Sequence, residues 1–280
     1  MNLLNIIDEI EKIDPEVYDR LDGRRAAMKK FMSFSGKVAA ASVPVALGAM
    51  LNKAYGQTTT SIPQVLNFAL TLEYLEWRFY VQAVNSGIIP NSTALAALTT
   101  IRDHEAEHVA FLTSAVTSLG ATPVYFTDAS FDYTAHGTFP NPFTNYAVML
   151  AVAQTFEDTG VRAYKGQAAN LISSNEILRA ALRIHSVEAR HASHLREMRR
   201  RTGLLVPSGV LLQPWITLNQ SGIDSAAVQA SYNGEELTTQ AGVNIIGING
   251  FDITSEDASE AFDEPLTMLQ VQAIVAPFFV

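Results

Sequence analysis

Six side chains stand out by type and spacing: Glu73, Glu105, His108, Glu157, Glu188 and His191. They form two matching sets. In each, a glutamate is followed seven residues later by a tyrosine (Glu73 by Tyr80, Glu157 by Tyr164), and a Glu-x-x-His pair comes next (Glu105 with His108, Glu188 with His191). The glutamates are 32 residues apart in the first set (105 − 73) and 31 in the second (188 − 157). The sets are offset by 84 residues at the first glutamate (157 − 73) and by 83 at the histidine (191 − 108). One Glu-x-x-His would mean little, because residues three apart share a helix face in many surface pairs. Its recurrence in register, each time behind a glutamate and a tyrosine, makes a strong pattern.

The chemistry follows from the spacing. Residues at i and i+3 project side by side, so Glu105 and Glu188 on facing helices can bridge two metal ions while His108 and His191 cap one each. Glu73 and Glu157 then supply terminal carboxylates. Four carboxylates carry four negative charges, which two divalent cations neutralise. Without metal, such a cluster among Leu, Ile and Met would be strongly destabilising or would take up protons. The alternative is a set of buried protonated glutamates tied to histidines. Oxygen and nitrogen donors in this ratio suit two iron or manganese ions, and such a pair favours two-electron chemistry with dioxygen or peroxide. The chain has no cysteine, which excludes disulfides, zinc-thiolate sites, iron-sulfur clusters and thiol nucleophiles.

Several neighbours have two readings. Glu76 sits one turn from Glu73 and is its alternative as ligand, but the second set has Gly160 at the matching place, which favours Glu73. His104, His185 and His194 flank the ligand turns, either as groups that support the ligands or as ordinary satisfied helix histidines. Tyr80 and Tyr164 are the candidate catalytic residues, as hydrogen-bond donors to ligand carboxylates or electron donors to an oxidised metal pair, or else they fill the core. Arg190, Arg196 and Arg199 to Arg201 read as a solvated face and helix-end charges.

Four helices must position these groups. Apolar residues spaced by three and four mark their seams. The seams read Leu66, Leu70, Glu73, Trp77, Tyr80, Val84; Ala94, Leu98, Ile101, Glu105, His108, Leu112, Ala115, Leu119; Leu150, Ala153, Glu157, Gly160, Tyr164; and Ile177, Ala181, Ile184, Glu188, His191, Leu195, Met198. Ser61 with Gln64 and Ser173 with Glu176 read as capping boxes, Asn91-Ser92 and Asn141-Pro142 as the other starts, and Gly87, Gly120 and Gly203 as stops. Short connections make the first and second helices, and the third and fourth, antiparallel hairpins, while residues 121–141 form one long crossover. The fold class is all-α, a four-helix bundle.

The bundle occupies residues 58–203. Before it, residues 1–57 carry Arg24-Arg25, then an alanine-rich apolar run from Val38 to Met50, then Ala54-Tyr55-Gly56. This resembles a twin-arginine export signal, with the mature chain periplasmic and beginning near Gln57; the alternative is an amphipathic helix of a cytoplasmic protein. The apolar run is too short and interrupted to span a membrane. Residues 204–280 are rich in Gly, Asn, Ser and Thr and read as an irregular extension wrapped on the bundle, or as a small second domain. The formal charge of −9 disfavours electrostatic binding to nucleic acid or anionic lipid.

Residues 61–202 resemble the ferritin-like superfamily. More narrowly, Leu72-Glu73-Tyr74-Leu75-Glu76 through Phe79-Tyr80, and the endings FDEPLT and IVAPFF, resemble the bacterial ferritin-like group often labelled desiccation-related. The resemblance implies the bundle and the six ligands at the positions above, and little about the reaction. The expectation is an oxidoreductase that removes peroxide or oxidises ferrous iron. Expected partners are peroxide or dioxygen as small-molecule oxidant and, among proteins, further copies of the chain in a homo-oligomer. The reading from another class is an envelope stress-protective protein whose metals only stabilise the fold. Iron storage needs a hollow oligomer, which the long tail would obstruct.

Overall fold

The computed structural model describes residues 60–280. Arg24-Arg25, the apolar run after them and the small residues before Gln57 lie outside the described residues. Helix α1 (Ile62–Asn85) starts at Ser61, whose N–H donates to Gln64 Oε1 at 2.9 Å, with Pro63 in the first turn where its missing N–H costs nothing. Helix α2 (Ser92–Ser118) is capped by Asn91, whose Oδ1 accepts from the Ala94 N–H at 2.9 Å.

Two starts differ from expectation by a few residues. Asn141 takes a left-handed φ of 59° and closes a turn with Thr144 and Asn145, so the cap of helix α3 (Tyr146–Gln167) passes to Asn145. Helix α4 (Asn175–Thr202) is capped by Ser174 rather than Ser173, and Glu176 keeps a place in the first turn. The α4 C-terminus is as expected: Gly203 sits at φ 68°, a conformation glycine adopts without strain.

Helices α1 and α2 pack as one hairpin and α3 and α4 as the other; across the bundle α1 meets α3 and α2 meets α4. The seams bury as the spacing predicts, except that Leu119, at the end of α2, is 43% exposed. The long crossover lies against α1, where Tyr133 donates its hydroxyl to the Leu75 carbonyl at 2.8 Å. Phe79, Tyr133, Phe143 and Phe156 join there in edge-on and tilted ring contacts, and Phe278 from the chain end reaches Phe156 at 4.8 Å between ring centres. The IVAPFF ending is therefore part of the bundle core.

The extension contains a two-residue antiparallel pair, β1 (Thr239–Gln240) with β2 (Val243–Asn244), and two short helices, α5 (Ser255–Glu260) and α6 (Met268–Val275). It covers α3 so completely that nearly every residue from Met149 to Gln167 is buried. Ile216, Ile223, Val228 and Tyr232 form a second apolar cluster against Ala151. No helix among the described residues is long and apolar enough to cross a membrane.

Candidate metal centre

The periodicity that made the seams places the six singled-out residues inward at one level of the bundle. All four glutamates, Glu73, Glu105, Glu157 and Glu188, are fully buried, and His108 and His191 nearly so. His108 Nδ1 lies 3.0 Å from Glu73 Oε2, 2.9 Å from Glu105 Oε2 and 3.2 Å from Glu188 Oε1. His191 Nδ1 lies 2.8 Å from Glu105 Oε1 and 3.2 Å from Glu157 Oε2. Two four-residue groups result: Glu73, Glu105, His108 and Glu188, and Glu105, Glu157, Glu188 and His191. In each, one donor atom per residue lies within 4.8 Å of all the others. Glu105 and Glu188 belong to both.

Each of these donor groups could hold a metal ion. Glu188 Oε2 is buried without a hydrogen-bond partner, and the buried oxygens Glu188 Oε1 and Glu105 Oε1 face only the ion-pairing histidines His108 and His191. A buried carboxylate oxygen without a donor is costly, and a cation removes the cost.

In the absence of cations, protons take their place. Burial, reinforced by the charges of Glu105, Glu157 and Glu73, pushes Glu188 well above the usual carboxylate range. Burial and the charge of Glu73 bring Glu105 up to about 7. Burial also opposes a charge on Glu73, but the His108 charge and the hydrogen bonds around it prevail and leave it below its ordinary value. Both imidazoles are desolvated, yet the carboxylates dominate: Glu157 first and then Glu105 hold His191 up at about 10, and His108 is raised too, chiefly by Glu73.

The tyrosines cross between the halves. Tyr80 of α1 donates to Glu157 Oε1 of α3 at 2.5 Å, and Tyr164 of α3 donates to Glu73 Oε1 of α1. Burial, and then the charge of the partner glutamate, raises both phenols well above their ordinary value, so they remain donors.

Glu76 stands beside the centre in addition to Glu73. It is buried, and a Cβ at Gly160 would lie 3.2 Å from Glu76 Oε1 and 3.3 Å from Glu188 Oε2. The missing side chain at Gly160 is thus what admits a fifth carboxyl group. Burial, followed by the charges of Glu157, Glu73 and Glu105, holds Glu76 well above the usual carboxylate range. Of the flanking histidines, His104 Nδ1 lies 3.0 Å from His191 Nε2, whereas His185 Nδ1 is 3.0 Å from the Val161 carbonyl and His194 is exposed.

One expectation is overturned. Arg190, Arg200 and Arg201 are exposed, but Arg196 and Arg199 are fully buried beneath the extension. Arg196 holds Asp158 with two bonds, at 3.1 and 2.7 Å, and Tyr232 donates to the same carboxylate at 2.7 Å. Arg199 binds Gln154 and the carbonyls of Leu205 and Gly222. Arg162 binds Glu235 at 2.6 Å and the carbonyls of Glu264, Ser231 and Asn233. This layer fastens residues 204–280 to α3 and α4. The sequence holds a signal for it: Gln154, Asp158 and Arg162 recur at a spacing of four, a polar stripe along one face of α3 separate from the seam of Glu157.

Residues 62–201 match a family model described as a ferritin-like domain, which is 140 of the 280 residues (201 − 62 + 1). No curated protein and no solved structure matches the chain. The matched span runs from the first residue of α1 almost to the end of α4 and contains every residue of the buried glutamate and histidine cluster, so the chain belongs to the ferritin-like domain family.

Proposed function

We propose that the protein is a dinuclear iron or manganese oxidoreductase acting on peroxide or dioxygen. One observation carries the reading: two four-residue donor groups share Glu105 and Glu188, and of the shared carboxylate oxygens Glu188 Oε2 is buried without a hydrogen bond while Glu188 Oε1 and Glu105 Oε1 face the two histidines. Glu73, Glu105, His108 and Glu188 would hold one ion and Glu105, Glu157, Glu188 and His191 the other. Such a pair supplies two-electron redox chemistry toward either oxidant. Tyr80 and Tyr164 hold one oxygen of each terminal carboxylate and leave the other facing the histidine.

The resemblance of Leu72 to Tyr80 and of the FDEPLT and IVAPFF endings supports placing the chain in the desiccation-related group. Arg24-Arg25 and the apolar run after them support export to the periplasm. Complete burial of the four glutamates favours a second reading, a stress-protective protein in which metal only stabilises the fold.

Metal analysis of protein from its native host tests the centre, with roughly two ions per chain expected. Oxygen-electrode and absorbance assays on manganese- and iron-loaded protein then test the reaction, with Glu188→Ala as control. The expected result is hydrogen peroxide consumption without added reductant, faster with manganese. Absorbance growth on adding ferrous iron to the metal-free protein in air would indicate ferrous oxidation instead. If neither form exceeds the control, the stress-protective reading replaces both.

A further inference from the structure

His191 makes polar contacts on two sides. Its Nδ1 faces Glu105 and Glu157 in the cluster, and its Nε2 lies 3.0 Å from Nδ1 of His104 on α2. The two ring planes are 15° apart and their centres are separated by 5.2 Å. Nearly coplanar rings at that separation meet edge to edge through the N···N contact; rings stacked face to face would bring their centres closer. The contact therefore has the in-plane geometry of an N–H···N hydrogen bond.

Only one of the two nitrogens can carry the hydrogen, which gives the bond a direction. A neutral imidazole that offers its Nδ1 lone pair to a metal has its hydrogen on Nε2. His191 must then be the donor and His104 Nδ1 the acceptor. We propose that His104 is a positioning residue of the metal centre: by accepting the Nε2–H of His191 it fixes the tautomer and ring plane that aim Nδ1 between Glu105 and Glu157. The inference rests on the dinuclear reading.

The pairing also makes the two halves unequal. The offset of 83 that relates His108 to His191 carries position 104 to Val187, whose side chain cannot accept a hydrogen bond. The ion bound by His191 has a positioned histidine, and the ion bound by His108 has no equivalent from that position. His104 is also only partly buried.

The test is an anaerobic titration of metal-free protein with manganese(II), read by electron paramagnetic resonance, on the wild type, His104→Phe and His104→Asn. The wild type should take up two ions. His104→Phe, which keeps a ring and removes the acceptor, should weaken one of the two by 10- to 100-fold and leave the other unchanged. His104→Asn, whose side-chain carbonyl can accept the same hydrogen, should recover much of the loss, which a purely space-filling role would not produce. Two ions at wild-type affinity in His104→Phe, or no recovery in His104→Asn, would overturn the inference while leaving the dinuclear reading intact. A wild type that takes up no manganese would overturn both. A readout independent of variant folding is nitrogen-15 resonance on zinc-loaded wild type: a coupling across the hydrogen bond between His191 Nε2 and His104 Nδ1 is expected, and its absence would contradict the assignment.

Discussion

Tyr80 on the first hairpin donates its hydroxyl to Glu157 on the second, and Tyr164 returns the same bond to Glu73. The seven-residue spacing that pairs each tyrosine with a glutamate in sequence therefore pairs it with the other glutamate in space. Tyr80→Phe leaves one Glu157 oxygen without its donor in a buried site. A hydrogen bond to a charged group contributes about 1.5 to 3 kcal/mol, so chemical denaturation of the metal-free variant should show a loss of that order. Its metal content should stay near two ions per chain, since the other oxygen still faces His191.

Removal of a ligand should have the opposite profile. Glu157→Ala or His191→Ala is expected to lower bound metal below two ions per chain and to remove much of the rise in melting temperature on metal loading, because bound metal stabilises only the folded state. Unchanged metal content in both variants, measured by elemental analysis, would reject the ligand assignment.

Stability without metal should fall as pH rises. Glu105 has a folded pKa of about 7 against an ordinary 4.5, so the folded state holds the extra proton and its contribution is lost between those values. His191, at about 10 against 6.5, acts in the same direction over the higher window. Thermal melts of metal-free protein between pH 5 and about 9 should show a declining midpoint. Metal loading should release protons and flatten or reverse the trend. A metal-free midpoint that climbs across this range would contradict the proton-filled cluster.

The extension should depend on close backbone approach at Gly166. A Cβ there would sit 1.9 Å from the Leu266 carbonyl oxygen, where the Leu266 N–H also bonds the Arg162 carbonyl at 3.1 Å. Gly166→Ala must push this segment away, and limited proteolysis should then cut within residues 204–280 faster than in the wild type. Arg162→Ala leaves Glu235 buried without its cation, a loss of about 3 to 5 kcal/mol for a broken buried pair.

Export is tested in the native cell. Replacing Arg24 and Arg25 by lysine should leave unprocessed protein in the cytoplasm, while the wild-type mature chain should begin near Gln57. An intact N-terminus on protein from the native cell fractions would overturn the export proposal.

The sequence alone determined the bundle and the inward placement of the six residues. Helical period is a local property, and each seam carries its glutamate or histidine inward wherever the apolar residues beside it are buried. Caps were legible to within a few residues, because local hydrogen bonds choose among neighbouring polar side chains such as Ser173 and Ser174. Tertiary structure decided the rest. The partner of Tyr80, the space over Gly160 that admits Glu76, and the contact of His104 with His191 all depend on where a second helix lies. Arg196 and Arg199 show the limit most plainly: on α4 alone they look like solvated charges, and they are buried only because a segment with no period of its own brings carbonyls and a tyrosine to cover them. A buried charge is stable only with its partners, and these come from the bundle face and the chain folded over it.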